Sequence, residues 1–264
     1  MSARGASGWL AGAGLAVAGG AVTPALSAVG PLRRTHMPGL AGVVDSDHIA
    51  LTYDDGPDAV STPRFLDLLE RTGTRATFFL LGERVVRQRA LVKAMTAAGH
   101  ELAVHGWDHR CVLTVGPRTL LDQVRRTAEL LEDVSGTAVR FYRPPYGVSS
   151  AASVWAARRA GLSTVLWSAW GRDWEARATA PRIVRTVETT LRPGGTVLLH
   201  DSDWTSAPLS WVSTLDASRT LLDRWAADGR PVGPLNVHLT TRGGAAPPHE
   251  GTAPLSSVPV AGRR

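Results

Sequence analysis

The sequence contains very little cysteine and lysine. Cys111 is its only cysteine and Lys93 its only lysine. A disulfide within the chain is therefore impossible, so cysteine usage neither supports nor excludes export. The other basic side chains, apart from histidines, are arginines scattered along the chain, with no basic run interleaved with aromatics, which argues against nucleic-acid binding. The net charge of +6 is mildly favourable for anionic polymers or anionic lipid head groups.

Charge is also absent near the N terminus, between Arg4 and Arg33. This segment is long enough to cross a bilayer, but it is rich in Gly and Ala and is interrupted by Pro24, so its hydrophobicity is weak. It can be a secretory signal with a cleavage site at Ala25-Leu26-Ser27, or an uncleaved membrane anchor. The Arg33-Arg34 pair complicates both, because positive charge after a hydrophobic segment tends to stay cytoplasmic. We expect export or membrane attachment at the cell envelope, with cytoplasmic-side attachment as the alternative.

We expect three parts along the 264 residues. Residues 1–47 form the signal-like or membrane-anchoring segment, with a linker over 35–47, and residues 48–240 form one folded domain. Residues 241–264 are rich in Gly, Pro, Ala and Ser, lack apolar periodicity, and are predicted to be a disordered tail.

Short apolar runs alternate with helical patterns from His48 onward. Strands are predicted over residues 49–53, 76–81, 101–104, 141–142, 164–167 and 196–199. Helices are predicted over 62–72, 83–98, 117–134, 149–160, 181–191 and 211–227. This alternation predicts an α/β protein made of βα units with a parallel sheet. With about seven units, a closed (β/α) barrel is favoured over an open sheet.

The first strand ends on two adjacent carboxylates, Asp54 and Asp55, and Gly56-Pro57 then breaks it. Asp, Gly and Pro are common turn residues, so an ordinary turn is one interpretation. Neighbouring side chains of a strand point to opposite sides, so the two acids can share one reaction centre only where the strand gives way to a loop. There, one carboxylate could hold a metal and the other could accept a proton from the water that the metal acidifies.

Two histidines, His105 and His109, follow the third predicted strand. Taken singly, a loop histidine is more often a hydrogen-bonded residue than a ligand. Imidazole nitrogens are nevertheless good ligands for zinc, and residues four apart can reach a common point. With the two aspartates, a His-His-Asp set becomes plausible. Such a set leaves positions open for water and substrate, as in catalytic rather than structural metal sites.

A stiff loop, Arg143-Pro144-Pro145-Tyr146-Gly147, follows the fourth predicted strand. Two prolines fix the backbone direction. The loop could hold Arg143 against a carboxylate and aim a backbone N–H at a developing oxyanion. The alternative is a rigid exposed turn.

The last two clusters are Trp170-Gly171-Arg172-Asp173-Trp174 and Leu198-Leu199-His200-Asp201. Sugar rings pack on flat aromatic faces, although tryptophan also serves ordinary cores. An isolated His200 would usually be a satisfied core residue. If Asp173 lies beside His200, the carboxylate favours the protonated imidazole, which would suit a general acid.

The order Thr-Tyr-Asp-Asp-Gly-Pro, His-x-x-x-His, Arg-Pro-Pro-Tyr, Asp-Trp, Leu-x-His strongly resembles the polysaccharide deacetylases of carbohydrate esterase family 4, the NodB-like homology domain. The resemblance covers roughly residues 48–235. It implies a distorted (β/α) barrel and a divalent metal, usually zinc, with cobalt possible. The implied reaction is hydrolysis of an N-acetyl group from an amino sugar, releasing acetate.

The resemblance also implies a role for each matching residue. By motif position, the metal ligands would be Asp55, His105 and His109, and Asp54 would be the catalytic base, oriented by Arg143. The Tyr146 backbone N–H would stabilise the oxyanion, and Asp173 would tune His200, the general acid. We expect Trp174, Tyr146 and Trp204 to contact the substrate, since the polar stretch 201–206 that contains Trp204 follows the general acid.

Two positions depart from the family pattern. Gly106 stands where a Ser or Thr usually follows the first metal histidine, and Trp170 stands where the fourth motif usually opens with a second Asp. Neither position supplies a ligand or a proton, so we expect an active enzyme with an unusual substrate preference.

The expected partner is an N-acetylated glycan such as peptidoglycan or a chitin-like polymer, and the expected state is a monomer that binds no nucleic acid. Two alternatives stay open. One is a deformylase or deacylase of a lipid-linked amino sugar. The other is a catalytically inactive carbohydrate-binding relative.

Overall fold

Strands and helices alternate through residues 36–240, the part of the chain that the computed structural model describes. The strands are β1 (Ile49–Asp54), β2 (Thr77–Leu80), β3 (Glu101–Val104), β4 (Phe141–Tyr142), β5 (Ser163–Thr164), β6 (Ala169–Trp170), β7 (Thr196–His200) and β8 (Val232–Gly233). The helices are α1 (Thr62–Arg71), α2 (Gly82–Arg87), α3 (Arg89–Ala97), α4 (Pro117–Ser135), α5 (Ala151–Arg159), α6 (Ala180–Thr190), α7 (Ser210–Ala227) and α8 (Leu235–Thr240). The predicted uncharged segment before Arg33 and the predicted tail after residue 240 lie outside the described residues.

All strand pairs of the sheet are parallel, in the order β5-β4-β3-β2-β1-β7-β6, and β8 pairs with the start of β1. The edge strands β5 and β6 are joined through residues 165–168 instead of by a ladder. Val165 donates to the Tyr142 carbonyl (3.0 Å) and Ser168 to the Thr196 carbonyl (3.0 Å). The sheet is thus a curled barrel with one irregular seam, which confirms the predicted distorted (β/α) barrel.

Alternate residues of β1 face two different cores. Ile49, Leu51 and Tyr53 pack outward in the main cluster beneath the helices. Ala50 faces the barrel interior, where it packs with Phe79, Ala103, Phe141, Val165 and, from α8, Leu235. The polar residues Thr52 and Asp54 lie on the same face as Ala50, so the interior becomes polar towards the carboxyl ends of the strands, where a barrel of βα units forms its site.

Three sequence-based assignments differ from the structure. The predicted strand over 164–167 is replaced by β5 and β6 on either side of the seam. The predicted helix over 83–98 is divided at Gln88, whose backbone (φ −126°, ψ 35°) is not helical. The residues predicted as a linker over 35–47 include Ala41 and Val44, which are buried.

Residues 41–44 are held by the fold through specific hydrogen bonds. The Gly42 carbonyl accepts from the Thr196 hydroxyl (2.7 Å), and Val44 donates to the Gly194 carbonyl (3.0 Å). These partners lie far along the chain, so no local pattern could reveal them. Within residues 36–240, no helix combines the length and the apolar character needed to cross a membrane.

Candidate active site

A cavity of about 320 Å³ opens at the carboxyl ends of the strands. Its lining comes from six strands and the loops that follow them: Asp54, His105, His109, Tyr146, Gly147, Trp167, Trp170, Trp174, Leu198, His200, Thr205 and Ser206. Of the site residues predicted from sequence, six line it directly: Asp54, His105, His109, Tyr146, Trp174 and His200. Asp55, Arg143 and Asp173 lie behind these, each in contact with at least one of them.

Arg143 is fully buried and fixes Asp54. Its Nη1 donates to Asp54 Oδ1 (2.6 Å) and Thr52 Oγ1 (2.9 Å). Its Nε and Nη2 donate to the carbonyls of Val165 (3.2 Å) and Leu166 (2.8 Å) in the seam. Burial lowers the pKa of Arg143 and the Asp54 charge opposes this. An arginine nevertheless stays protonated in proteins, so Asp54 faces a permanent cation on one side and the cavity on the other.

Asp55 turns towards the same centre because its backbone leaves the strand conformation. Its φ of 76° lies in the left-handed region, which breaks the alternation that would separate two neighbouring side chains. Asp55 Oδ1 lies 3.3 Å from His105 Nε2 and 3.3 Å from His109 Nε2. Its other oxygen, Oδ2, accepts a hydrogen bond from Thr205 Oγ1 (2.5 Å). His105 Nε2 also lies 3.7 Å from Asp54 Oδ2.

The Asp55-His105-His109 group has the donor set and spacing of a divalent-metal site. One ligand atom from each residue lies within 4.8 Å of the others. A separation near 3.3 Å is about that of two ligands on one tetrahedral zinc ion at about 2.0–2.1 Å. Asp55 Oδ1 is buried and has no hydrogen-bond partner, a costly state that a bound cation would remove. The residues present therefore fit a metal ion.

The protonation states of the group agree with this fit. His105 Nδ1 lies 2.8 Å from the Arg143 carbonyl, a bond that places the proton on Nδ1 and leaves Nε2 free to act as a ligand. Burial, with a further contribution from His105, lowers the pKa of His109 to about 4. Burial disfavours the charged form of Asp55, but its interaction with the His105 imidazole, together with the other nearby imidazoles, outweighs burial and lowers its pKa. Metal binding requires these deprotonated forms.

His200 and Asp173 form a hydrogen-bonded pair on the opposite wall. His200 Nδ1 lies 3.0 Å from Asp173 Oδ1, and the His200 backbone N–H donates to Asp173 Oδ2 (2.7 Å). Thr214 Oγ1 donates to the same oxygen (3.0 Å). Burial would lower the pKa of His200, but the charge and hydrogen bond of Asp173 outweigh it and raise the pKa well above the ordinary value. The Asp173 carboxylate thus favours the protonated form of the imidazole beside the cavity.

Tryptophans form the apolar wall of the cavity. Trp174 contacts His200 edge to face (5.5 Å between ring centroids), and Trp170 lies 5.4 Å from Trp174 and 6.1 Å from Trp167. Tyr146 is 62% exposed and its ring contacts His109 edge to face (4.5 Å). Trp204 is also exposed, but it is not among the residues that line the cavity. It lies on the outer rim, under the Arg84 guanidinium (4.5 Å from Cζ to the ring centroid).

The departure at Gly106 has a structural reason. Gly106 has a φ of 103°, a conformation that a residue with a Cβ rarely adopts. Its carbonyl accepts hydrogen bonds from the Gly82 N–H (3.0 Å) and from Thr127 Oγ1 (3.2 Å). The loop that carries the two histidines is therefore fixed by a hydroxyl from α4.

Sequence reasoning missed several residues of the site. Trp167 was assigned to a strand, and Thr214 lies mid-helix with no local pattern to mark it. Thr205 belongs to the polar stretch 201–206 that was expected to line the cleft, but nothing in the sequence connects it with Asp55. These contacts join residues far apart along the chain, and only the folded barrel reveals them.

A family model for polysaccharide deacetylases matches residues 41–165. The chain is 38% identical to a chitooligosaccharide deacetylase of Bradyrhizobium sp. over 154 residues, which cover 58% of this chain and 70% of the relative. It is 35% identical to a peptidoglycan-N-acetylglucosamine deacetylase of Listeria monocytogenes over 174 residues, 66% of this chain but only 35% of that protein. The similarity thus spans about a third of the Listeria protein.

The fold is also similar to solved structures of carbohydrate esterase family 4. One is a pseudoenzyme of this family from Bacillus anthracis, with a TM-score of 0.67 and 25% identity, covering 74% of this chain and 66% of that chain. Since one fold carries both deacetylases and a pseudoenzyme, the side chains of the site decide what a given chain does.

Proposed function

The chain belongs to the polysaccharide deacetylase family, as its motifs predicted, and from this premise we propose that it is a metal-dependent deacetylase of a cell-envelope glycan. The reaction is hydrolysis of the N-acetyl group of an amino sugar in peptidoglycan or a chitin-like polymer, with release of acetate. One observation carries the proposal. The buried, hydrogen-bond-free Asp55 Oδ1 lies between two imidazole nitrogens, in a site that also contains a fixed carboxylate and a histidine paired with an aspartate.

Asp55, His105 and His109 would hold the ion, and zinc suits one carboxylate and two imidazoles. When bound, a divalent ion supplies Lewis acidity, which polarises an acyl oxygen and lowers the pKa of water. The protein's own groups do the rest of the work.

Asp54 is the proposed general base. The Arg143 guanidinium, which also donates to the Thr52 hydroxyl, fixes Asp54 through its Oδ1. Asp54 Oδ2 remains available on the side of His105. Asp54 accepts a proton from the water that attacks the acetyl carbonyl carbon. Because Arg143 cannot lose its own proton at working pH, it orients Asp54 and does not compete for the proton.

His200 is the proposed general acid. The amide nitrogen is a poor leaving group until it is protonated, and His200 donates this proton as the C–N bond breaks, which leaves a free amine on the sugar. Asp173 keeps the imidazole charged and oriented. The Tyr146 backbone N–H would donate to the tetrahedral oxyanion, a contribution of about 3–4 kcal/mol for one good donor.

The aromatic groups suit a glycan substrate. Trp174 and Tyr146 border the cavity, where a sugar ring and its acetyl group can pack on their faces. Trp204 on the outer rim would contact neighbouring sugars of a longer chain. Trp170, in place of the family's aspartate, makes the wall more apolar, and we expect it to alter substrate preference.

The substrate class follows from the relatives named above, a chitooligosaccharide deacetylase and a peptidoglycan-N-acetylglucosamine deacetylase. A cell-envelope substrate also agrees with the apolar N-terminal segment, for which export or membrane attachment remains our prediction. The protein is proposed to act as a monomer.

The test is release of acetate from peptidoglycan, chitin oligomers and a lipid-linked amino sugar, by zinc-loaded and metal-stripped protein. We expect activity only with metal, restored by zinc or cobalt, and abolished in His105→Ala and His109→Ala. Release of a different acid only from the lipid-linked sugar would favour the deacylase alternative. Glycan binding by the metal-loaded protein without release of any acid would identify an inactive binding relative.

A further inference from the structure

Thr205 contacts the proposed metal ligand Asp55 from the side opposite the two imidazoles. Its hydroxyl donates to Asp55 Oδ2 at 2.5 Å, and Asp55 Oδ1 points to His105 and His109. The two oxygens of this one carboxylate are therefore assigned to different partners. The hydrogen bond joins residues 150 positions apart along the chain, so it depends on the fold and not on a local turn.

A carboxylate can bind a metal through one oxygen or through both. The Thr205 hydroxyl engages Oδ2, and Oδ1 is the oxygen that lies beside both imidazole nitrogens, so Oδ1 is the oxygen placed to bind an ion. Asp55 is fully buried, whereas Thr205 is exposed at the cavity, so Oδ2 receives its hydrogen bond from Thr205 and not from bulk water. Hydrogen bonds to ligating groups orient them, and their loss typically weakens metal binding 10- to 100-fold.

The loop that carries Thr205 is fixed on both sides. On one side, Ala207 donates its N–H to the Trp174 carbonyl (3.1 Å). On the other side, Trp204 packs under Arg84, whose Nη2 donates to Asp58 Oδ2 (2.6 Å) in the loop after β1. Thr205 lies between these two anchors, so its hydroxyl is held in place before any ligand binds.

We infer that Thr205 is a positioning residue for the metal site, one that fixes Asp55 for binding through Oδ1 alone. This inference rests on the proposed function, because it assumes that Asp55 is a metal ligand. The loop after β7 then contributes to metal affinity through Thr205, in addition to the substrate contact expected of Trp204.

The test compares Thr205→Val, which removes the hydroxyl at nearly constant volume, with Thr205→Ser, which keeps it. Zinc affinity is measured by competition with a chromophoric chelator, and the visible absorption of the cobalt-loaded protein reports ligand geometry. We expect zinc affinity to fall 10- to 100-fold in Thr205→Val and to stay within a few-fold of wild type in Thr205→Ser. The cobalt spectrum should change only in the valine variant.

Two controls separate the possible failures. Thr189→Val, an exposed threonine on α6, should leave affinity unchanged. His105→Ala should remove tight binding, and if it does not, the proposed metal site itself fails. If His105→Ala loses zinc but Thr205→Val binds it like wild type, the inference about Thr205 is wrong. Unchanged zinc affinity with a raised KM would identify Thr205 as a substrate contact instead, which also overturns the inference.

Discussion

The two ends of the barrel use the same unusual backbone conformation in different ways. At the turns that lead from helices into strands, the residues with positive φ are all glycines: Gly73, Gly99, Gly136, Gly161, Gly194 and Gly229. In the loops that leave the strands, five non-glycine residues have positive φ: Asp55, His109, Tyr146, Arg172 and Leu209. Each of these five follows a different strand, and among the described residues there are no others.

This difference separates folding from chemistry. A glycine adopts positive φ without steric cost, whereas another residue costs about 1–2 kcal/mol. At the amino end the chain only has to turn, so glycine suffices. At the carboxyl end, Asp55, His109 and Tyr146 need both the turn and a side chain, and the surrounding contacts maintain the strain. Strained residues of this kind often mark functional sites.

Buried polar groups show the same contrast. At the amino end, Glu101 Oε2 accepts from Thr77 Oγ1 (2.6 Å) and from the Asn236 N–H (3.1 Å), and His48 and His238 are joined through their Nδ1 atoms (3.0 Å). At the carboxyl end, buried polar atoms without partners include Asp55 Oδ1 and His109 Nδ1. The amino end satisfies its own polar groups, and the carboxyl end leaves some of them for a ligand.

The largest effect is expected from Asp54→Asn at the carboxyl end. The amide keeps an oxygen for Arg143 but cannot serve as the base, so kcat for acetate release should fall on the order of 10²–10⁴-fold. Zinc affinity should change far less, because Asp54 is not a proposed ligand. A variant that kept wild-type kcat would show that another group accepts the proton.

Next is Asp173→Asn, which removes the charge that keeps His200 protonated. We expect kcat to fall about 10- to 100-fold and the alkaline limb of the rate profile to move to lower pH. If the alkaline limb of the pH–rate profile stays where it is in wild type, His200 is not the group whose titration produces that limb.

The free energy of unfolding should also depend on pH through the His200–Asp173 pair. The folded-state pKa of His200 is raised, so its contribution to stability is complete below the unfolded pKa of about 6.5 and is lost as pH rises through the folded pKa. The stability difference between wild type and Asp173→Asn should therefore be largest at acidic to neutral pH and shrink at alkaline pH. Urea unfolding across pH measures this, and a constant difference would contradict it.

A change at the amino end should affect stability and leave the chemistry intact. Glu101→Ala leaves the Thr77 hydroxyl and the Asn236 N–H without their acceptor, which we expect to lower the free energy of unfolding by about 1–3 kcal/mol. The kcat of the folded protein should stay at the wild-type value. A specific loss of kcat would mean that the two ends are coupled.

The smallest effect is expected from Gly136→Ala. Gly136 has a φ of 69°, and a Cβ there would meet no atom within 4 Å, so the change tests backbone conformation alone. We expect a loss of about 1 kcal/mol in unfolding free energy with unchanged kcat. An unchanged unfolding free energy would show that positive φ costs a non-glycine residue little here, and the contrast drawn between the two ends would then have no energetic support.

Much of this architecture could be predicted from sequence because its signals are local. The alternation of short apolar runs and helical patterns predicted a parallel barrel, and the polar clusters after β1, β3, β4, β6 and β7 predicted the site residues. The split between β5 and β6 could not be predicted, because the carbonyls of Val165 and Leu166 there accept hydrogen bonds from the guanidinium of Arg143, more than 20 residues earlier in the chain. Thr205 is a similar case, since its partner Asp55 is close only after folding.

The irregular seam makes one side chain indispensable in two ways. Arg143 supplies hydrogen bonds where β5 and β6 do not pair, and it also orients the proposed base. A substitution of Arg143 would therefore disturb the joint of the barrel and the proposed base together, whereas a homologue that loses the chemistry at another residue can keep the arginine and the joint.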